Sequence, residues 1–190
     1  MWSFKTDEVE NFAYVDGVFS KLDCEKIVKT LEPLEKKIAK TGASKTAKTD
    51  KKVRDSSVSW VRPDNNEELF RKLSGVCMAA NEKFFNFDLS GFGEPLQYTR
   101  YEAPGGKYIP HIDKSFMGPV RKLSFSLVLS DPKSYTGGNL SLQFGVKKDN
   151  MEQPQGRIIF FPSYVLHGVS PVKKGSRRSL VGWITGPQFK

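Results

Sequence analysis

From residue 91 onward, glycine and proline cut the chain into short apolar runs. The runs span residues 96–101, 108–113, 123–129, 140–144, 157–161, 168–172 and 179–184. The breaks are Pro104-Gly105-Gly106, Gly118-Pro119, Gly137-Gly138 and Lys174-Gly175. Strand-like runs with turn signals between them predict a β-sandwich or barrel.

The first half reads differently. Residues 11–19 (NFAYVDGVF) predict a short strand and turn. Ser20 suits a helix N-cap, with Asp23 and Glu25 placed for the helix dipole. Ile27, Leu31, Leu34 and Ile38 fall at helical spacing, and Pro33 should kink or split that helix. Residues 57–61 predict a strand around Trp60, and Pro63-Asp64-Asn65 opens a second helix. Leu69, Leu73, Val76, Ala80 and Phe84 form its buried stripe. There is no internal repeat. The expected organisation is one unit over residues 1–190, mainly β, with helices in residues 1–90 bracing a β-core in residues 91–190.

Composition narrows the class. The chain is 38% hydrophobic and 27% charged, which argues against disorder. No run approaches the length of a membrane span, and the first eight residues lack the apolar core of a secretory signal. Cys24 and Cys77 stand far apart without a C-x-x-C pattern, which excludes a disulfide framework and a cysteine zinc site. A reducing compartment is expected: a cytoplasm, or the host cytoplasm for a viral protein. The net charge is +9. Lys36, Lys37, Lys40, Lys45, Lys48, Lys51, Lys52 and Arg54 face a single acid, Asp50, in a stretch read as a mobile basic loop. It suits an acidic peptide and equally a nucleic acid, although no aromatic residue interleaves it for base stacking. The bland alternative is a solvated lysine-rich surface.

The chain has two histidines, His111 and His167. His111 opens His-Ile-Asp, and on a strand residues i and i+2 share a face, so His111 and Asp113 project into one interior. His167 follows an apolar strand and a Pro-Ser-Tyr corner. Two imidazoles and one carboxylate make the facial triad of non-haem Fe(II) sites. Taken alone, either histidine is better read as a hydrogen-bonded residue near a core edge, and the surrounding features change that reading. Ten residues beyond His167, Arg177 and Ser179 share a strand face and Arg178 points the other way. A guanidinium buried in a β-core needs a carboxylate, which an iron-chelating dicarboxylate would supply. Tyr101 and Tyr108 reach the same interior, as ligand contacts or as core-packing rings. Ser124 and Ser126 alternate with Leu123, Phe125 and Leu127, so one face of that strand lines a polar cavity or meets solvent.

The segments LQYTRYEAPGGKYIPHID, RKLSFSLVLSDPKSYTGGNL and GRIIFFPSYVLHGVSPVKKGSRRSLVGW resemble the 2-oxoglutarate- and Fe(II)-dependent oxygenase superfamily, in its prolyl-4-hydroxylase-like branch. FAYVDGVFSKLDCEKIV and VRDSSVSWV are similar to the entry segments of short microbial and viral members. The resemblance implies a double-stranded β-helix, or jelly roll, with bracing helices. It implies His111, Asp113 and His167 as iron ligands, and Arg177 as the anchor of the distal carboxylate of 2-oxoglutarate. Ser179 is its neighbour, and Tyr101 is a co-substrate contact; Tyr108 and Ser126 are further candidates for that pocket. The implied cofactors are Fe(II), 2-oxoglutarate and O2, with ascorbate as reductant. The implied reaction hydroxylates a C–H bond and converts 2-oxoglutarate to succinate and CO2. The implied partner is a peptide or protein, and residues 41–55 are expected to be part of a lid or of the substrate clamp. Nucleic-acid and small-molecule substrates occur in the same superfamily. A zinc hydrolase on the same three ligands leaves Arg177 unexplained, and a non-catalytic binding module makes both histidines incidental.

Overall fold

The computed structural model describes residues 9–41, 48–113 and 118–188. The elements are β1 (Ala13–Val15), α1 (Lys21–Leu31), β2 (Lys37–Ile38), β3 (Arg54–Asp55), β4 (Ser57–Val61), α2 (Glu67–Ala80), β5 (Gly91–Phe92), β6 (Leu96–Glu102) and β7 (Lys107–His111). They continue as β8 (Arg121–Val128), β9 (Tyr135–Gly137), β10 (Leu140–Phe144), β11 (Lys147–Asn150), β12 (Ile158–Pro162), β13 (Leu166–Val169) and β14 (Val172–Thr185). Among the described residues one sheet runs β1-β12-β8-β14-β6-β4-β2, with β5 and β9 also paired to β14. The other runs β11-β10-β13-β7-β3. This is the double-stranded β-helix.

β12 shows why the two layers form. Its side chains alternate: Ile158 and Phe160 join the core shared with the helices, while Ile159 and Phe161 join a second apolar cluster with Leu140, Leu142 and Val169 of the smaller sheet. A central strand buried on both faces must be apolar at every position. Cys24 and Leu31 of α1, with Leu73, Cys77 and Ala80 of α2, pack on the first of these clusters. The helices therefore brace the larger sheet. No helix among the described residues is long and apolar enough to cross a membrane.

Several expectations need correction. α1 begins at Ser20 with a reciprocal capping box to Asp23, as expected, but stops at Leu31. Pro33 ends the helix rather than kinking it, and Leu34 and Ile38 lie exposed beyond it. α2 starts at Glu67, a few residues past the Pro63-Asp64-Asn65 turn, and its stripe packs inward as predicted. The basic stretch is partly built into the sheets: Lys37–Ile38 pairs with β4, Thr41 bridges Lys48, and Arg54–Asp55 pairs with β7. The rest of the proposed lid, 42–47, lies outside the described residues. Lys174-Gly175 is not a break, because β14 runs through it with Gly175 at φ +70° against the Ser134 carbonyl. The strand expected over 168–172 is the end of β13 and the start of β14.

Candidate active site

β7 and β13 are antiparallel neighbours with His111 opposite His167. Their rings lie 4.2 Å apart, centroid to centroid. Asp113 sits beyond the end of β7, so strand alternation does not place it. Its backbone N–H donates to the Ser163 carbonyl, and its Oδ2 accepts from the Ser124 hydroxyl at 2.8 Å. Ser124 in turn meets the Ser163 hydroxyl at 2.9 Å. Asp113 Oδ1 is 3.8 Å from His111 Nε2, and Oδ2 is 3.4 Å from His167 Nε2. One donor atom from each of the three residues lies within 4.8 Å of the others.

The imidazoles are oriented from behind. His111 Nδ1 faces the Ile109 carbonyl and His167 Nδ1 the Val165 carbonyl, each at 2.9 Å. A carbonyl can only accept, so Nδ1 carries the proton and Nε2 offers its lone pair to the centre. Burial, with His167 alongside, pushes the His111 pKa down and favours that neutral form. Burial alone would raise the Asp113 carboxyl, but the two imidazoles, the Trp183 indole and Arg121 hold it below the usual carboxylate range. Trp183 Nε1 completes no hydrogen bond of good geometry, yet its N–H still favours the carboxylate. Two imidazole Nε2 atoms and one carboxylate match the donor set that Fe(II) accepts.

The cluster opens into a cavity of about 720 Å³ between the two sheets. His111, Asp113, His167, Tyr101, Tyr108, Ser126, Arg177 and Ser179 all line it, so the fold brings these eight residues, each singled out from the sequence, to one space. On β14 Arg177 points inward and is 1% exposed, while Arg178 points outward to Glu32 at 3.0 Å. Arg177 lies over the Tyr101 ring and donates Nη1 to Ser179 at 3.2 Å. Its Nε and Nη2 both donate to Gln153 Oε1, at 3.0 and 2.8 Å. Gly138, at φ +63°, allows this packing, since a Cβ there would lie 3.0 Å from Arg177 Cδ.

Sequence reasoning missed several of these contacts. Gln153 sits in a loop without periodicity, and nothing in the sequence singles it out. Arg121 binds Glu94 bidentately at 2.6 and 2.8 Å, donates to the Asp113 carbonyl at 3.2 Å and lies 3.9 Å over Trp183. Tyr108 stacks on His111 at 3.5 Å, and the Arg54 guanidinium lies over the Tyr108 ring at 4.5 Å. Ser124 had a signal, the polar alternation along β8.

A double-stranded β-helix with His-x-Asp and a distant His lining its cavity is the arrangement that non-haem Fe(II) oxygenases use. A profile of the 2OG-Fe(II) oxygenase superfamily matches residues 96–185. A PKHD-type hydroxylase of Synechococcus elongatus is 33% identical over 124 residues, covering 61% of this chain and 55% of that protein. The crystal structure of a Pseudomonas putida prolyl-4-hydroxylase matches with TM-score 0.73 at 19% identity, over 94% of both chains. A Trichoplax adhaerens prolyl hydroxylase in complex with a hypoxia inducible factor peptide fragment matches with TM-score 0.75 at 16% identity, over 92% of this chain and 83% of that one. Residues 96–185 thus carry the pattern of the 2OG-Fe(II) oxygenase superfamily, and the chain has the fold of these two prolyl hydroxylase structures. It spans about half the length of the curated relatives it matches.

Proposed function

We propose that this chain is an Fe(II)- and 2-oxoglutarate-dependent dioxygenase that hydroxylates an unactivated C–H bond, with a peptidyl proline or another protein side chain as substrate. The observation that carries this reading is the shared cavity, into which the His111–Asp113–His167 cluster and the buried Arg177 both face. His111, Asp113 and His167 would hold Fe(II). Arg177 and Ser179 would receive the distal carboxylate of 2-oxoglutarate, with Tyr101, Tyr108 and Ser126 along the walls. The iron, with 2-oxoglutarate and O2 bound, supplies the oxidation that yields succinate, CO2 and the hydroxylated product.

The chain's own part is positioning. The Ile109 and Val165 carbonyls fix the ring tautomers, and Ser124 fixes the Asp113 oxygen that faces His167. Burial of His167 and Arg177 keeps bulk water from the reacting space. The Tyr108 hydroxyl is a donor at neutral pH, as for any tyrosine, and burial raises its pKa further. Cys24 and Cys77 are buried free thiols, which suits a reducing cytoplasm with ascorbate as the external reductant. The test is aerobic incubation with Fe(II), ascorbate, 2-oxoglutarate and proline-containing peptides. Succinate should form in step with a mass gain of one oxygen on the peptide, and Asp113→Ala should abolish both. Peptide hydrolysis with 2-oxoglutarate left intact would contradict the proposal.

A further inference from the structure

Arg54 is buried, at 7% exposure, and lines the same cavity from the smaller sheet. A buried guanidinium ordinarily has a carboxylate partner, because desolvating the charge alone is costly. The other buried or half-buried arginines divide clearly. Arg100 and Arg178 share Glu32, Arg121 has Glu94, and Arg157 has Asp16. Arg177 has only Gln153 and Ser179, and its carboxylate in the oxygenase reading is 2-oxoglutarate. Arg54 is the remaining case. Among the described residues no carboxylate reaches it. Its Nε donates to Ser56 Oγ at 2.9 Å, and its flat face rests on Tyr108 at 4.5 Å. Among the described residues neither Nη group has a protein acceptor, and neither is a fully buried unpaired atom.

The charges lining the cavity lead to the same place. Glu94 is taken by Arg121, and Asp113 stands between the imidazoles. Once Arg177 has its co-substrate, the uncompensated charges among the described lining residues are Arg54 and the exposed Lys40. Lys48, Lys51 and Lys52 add exposed positive charge along the same segment, a field that draws anions to the mouth. Arg54 stacks on Tyr108, and Tyr108 stacks on His111. The two contacts, 4.5 and 3.5 Å, place the Arg54 guanidinium no more than about 8 Å from the ring of His111, a proposed metal ligand.

We infer that the substrate carries a carboxylate beside the oxidised C–H bond and that the Arg54 fork receives it bidentately. This rests on the oxygenase reading. The carboxylate belongs either to an acidic residue flanking the target in a peptide or to the α-carboxylate of a free or C-terminal residue.

The test compares kcat and KM on proline peptides with Asp or Glu next to the proline against their Asn and Gln counterparts. A parallel arm uses free proline and C-terminal-proline peptides against their amides. Binding of each probe to the Mn(II)–2-oxoglutarate protein is followed by calorimetry. The wild type should favour the carboxylate member of one pair about tenfold, through KM, because a site built for a polar group rejects the analogue that lacks it. The pair that shows the preference identifies the source. Arg54→Gln should bring that ratio towards one, and Arg54→Lys should keep part of it. Equal binding and turnover within both pairs, an unchanged ratio in Arg54→Gln, or no binding of any carboxylate probe would overturn the inference. Failure of Mn(II) and 2-oxoglutarate to bind in the first place would instead overturn the oxygenase reading.

Discussion

Arg177 and Arg178 are adjacent on β14 and serve opposite faces of the sheet. Arg178 ties the sheet to the end of α1 through Glu32, and Arg177 points to the cavity. What holds Arg177 is a neutral amide, and the choice matters. Gln153 fixes the guanidinium through Nε and Nη2 without cancelling its charge. A glutamate there would form an ion pair and compete with 2-oxoglutarate for the same fork. Gln153→Glu should therefore weaken 2-oxoglutarate binding by about tenfold or more, and more than Gln153→Ala does. Calorimetric titration of the Mn(II)-loaded variants checks this, and equal affinities for wild type and Gln153→Glu would remove Gln153 from the account. The inward turn of Arg177 and the outward turn of Arg178 follow from strand alternation and were readable in the sequence. Gln153 was not, because a loop residue has no period that ties it to a distant strand.

At the scale of elements, the junction of α1 with the larger sheet depends on Glu32. Its carboxylate accepts from the Tyr98 hydroxyl at 2.6 Å and from Arg178 Nε at 3.0 Å, and lies 3.4 Å from Arg100 Nε. Burial pushes its pKa up, but the hydrogen bonds from Tyr98 and Arg178 outweigh this and bring it down to about 2. A depressed folded pKa stabilises the fold above the unfolded value, and the contribution fades as pH falls through the folded one. Glu32→Gln should cost on the order of 2 kcal/mol at pH 7, after allowance for partial exposure. The gap to wild type should close as pH drops from about 4.5 towards 2. Urea unfolding at a series of pH values measures it, and a gap independent of pH would show that the carboxylate charge does not hold this junction. The cap at Ser20 was plain in the sequence, because capping chemistry is local. The end of α1 was misread, since Ile38 continues the helical spacing across Pro33 and only tertiary pairing with β4 decides its state. Gly175 was misread for the converse reason: a glycine that looks like a turn is the residue that lets β14 pass against the Ser134 carbonyl.

At the scale of the molecule, two sheets enclose the cavity and the helices close the outer face of the larger one. The smaller sheet brings His111, His167 and Arg54, and the larger brings Arg177, Ser179 and Ser126. The strand runs, the polar face of β8 and the His-x-Asp spacing made this layout largely readable from the residues. The basic stretch did not reveal that Arg54 and Asp55 form a strand beside β7, because that pairing joins segments far apart in sequence. The central claim is that metal and 2-oxoglutarate meet in this cavity. Its most direct test is the anaerobic Fe(II) protein titrated with 2-oxoglutarate and followed in the visible region. A metal-to-ligand charge-transfer band should appear, vanish in His167→Ala and need more 2-oxoglutarate in Arg177→Ala. Folded protein with iron bound and no band on adding 2-oxoglutarate would contradict it.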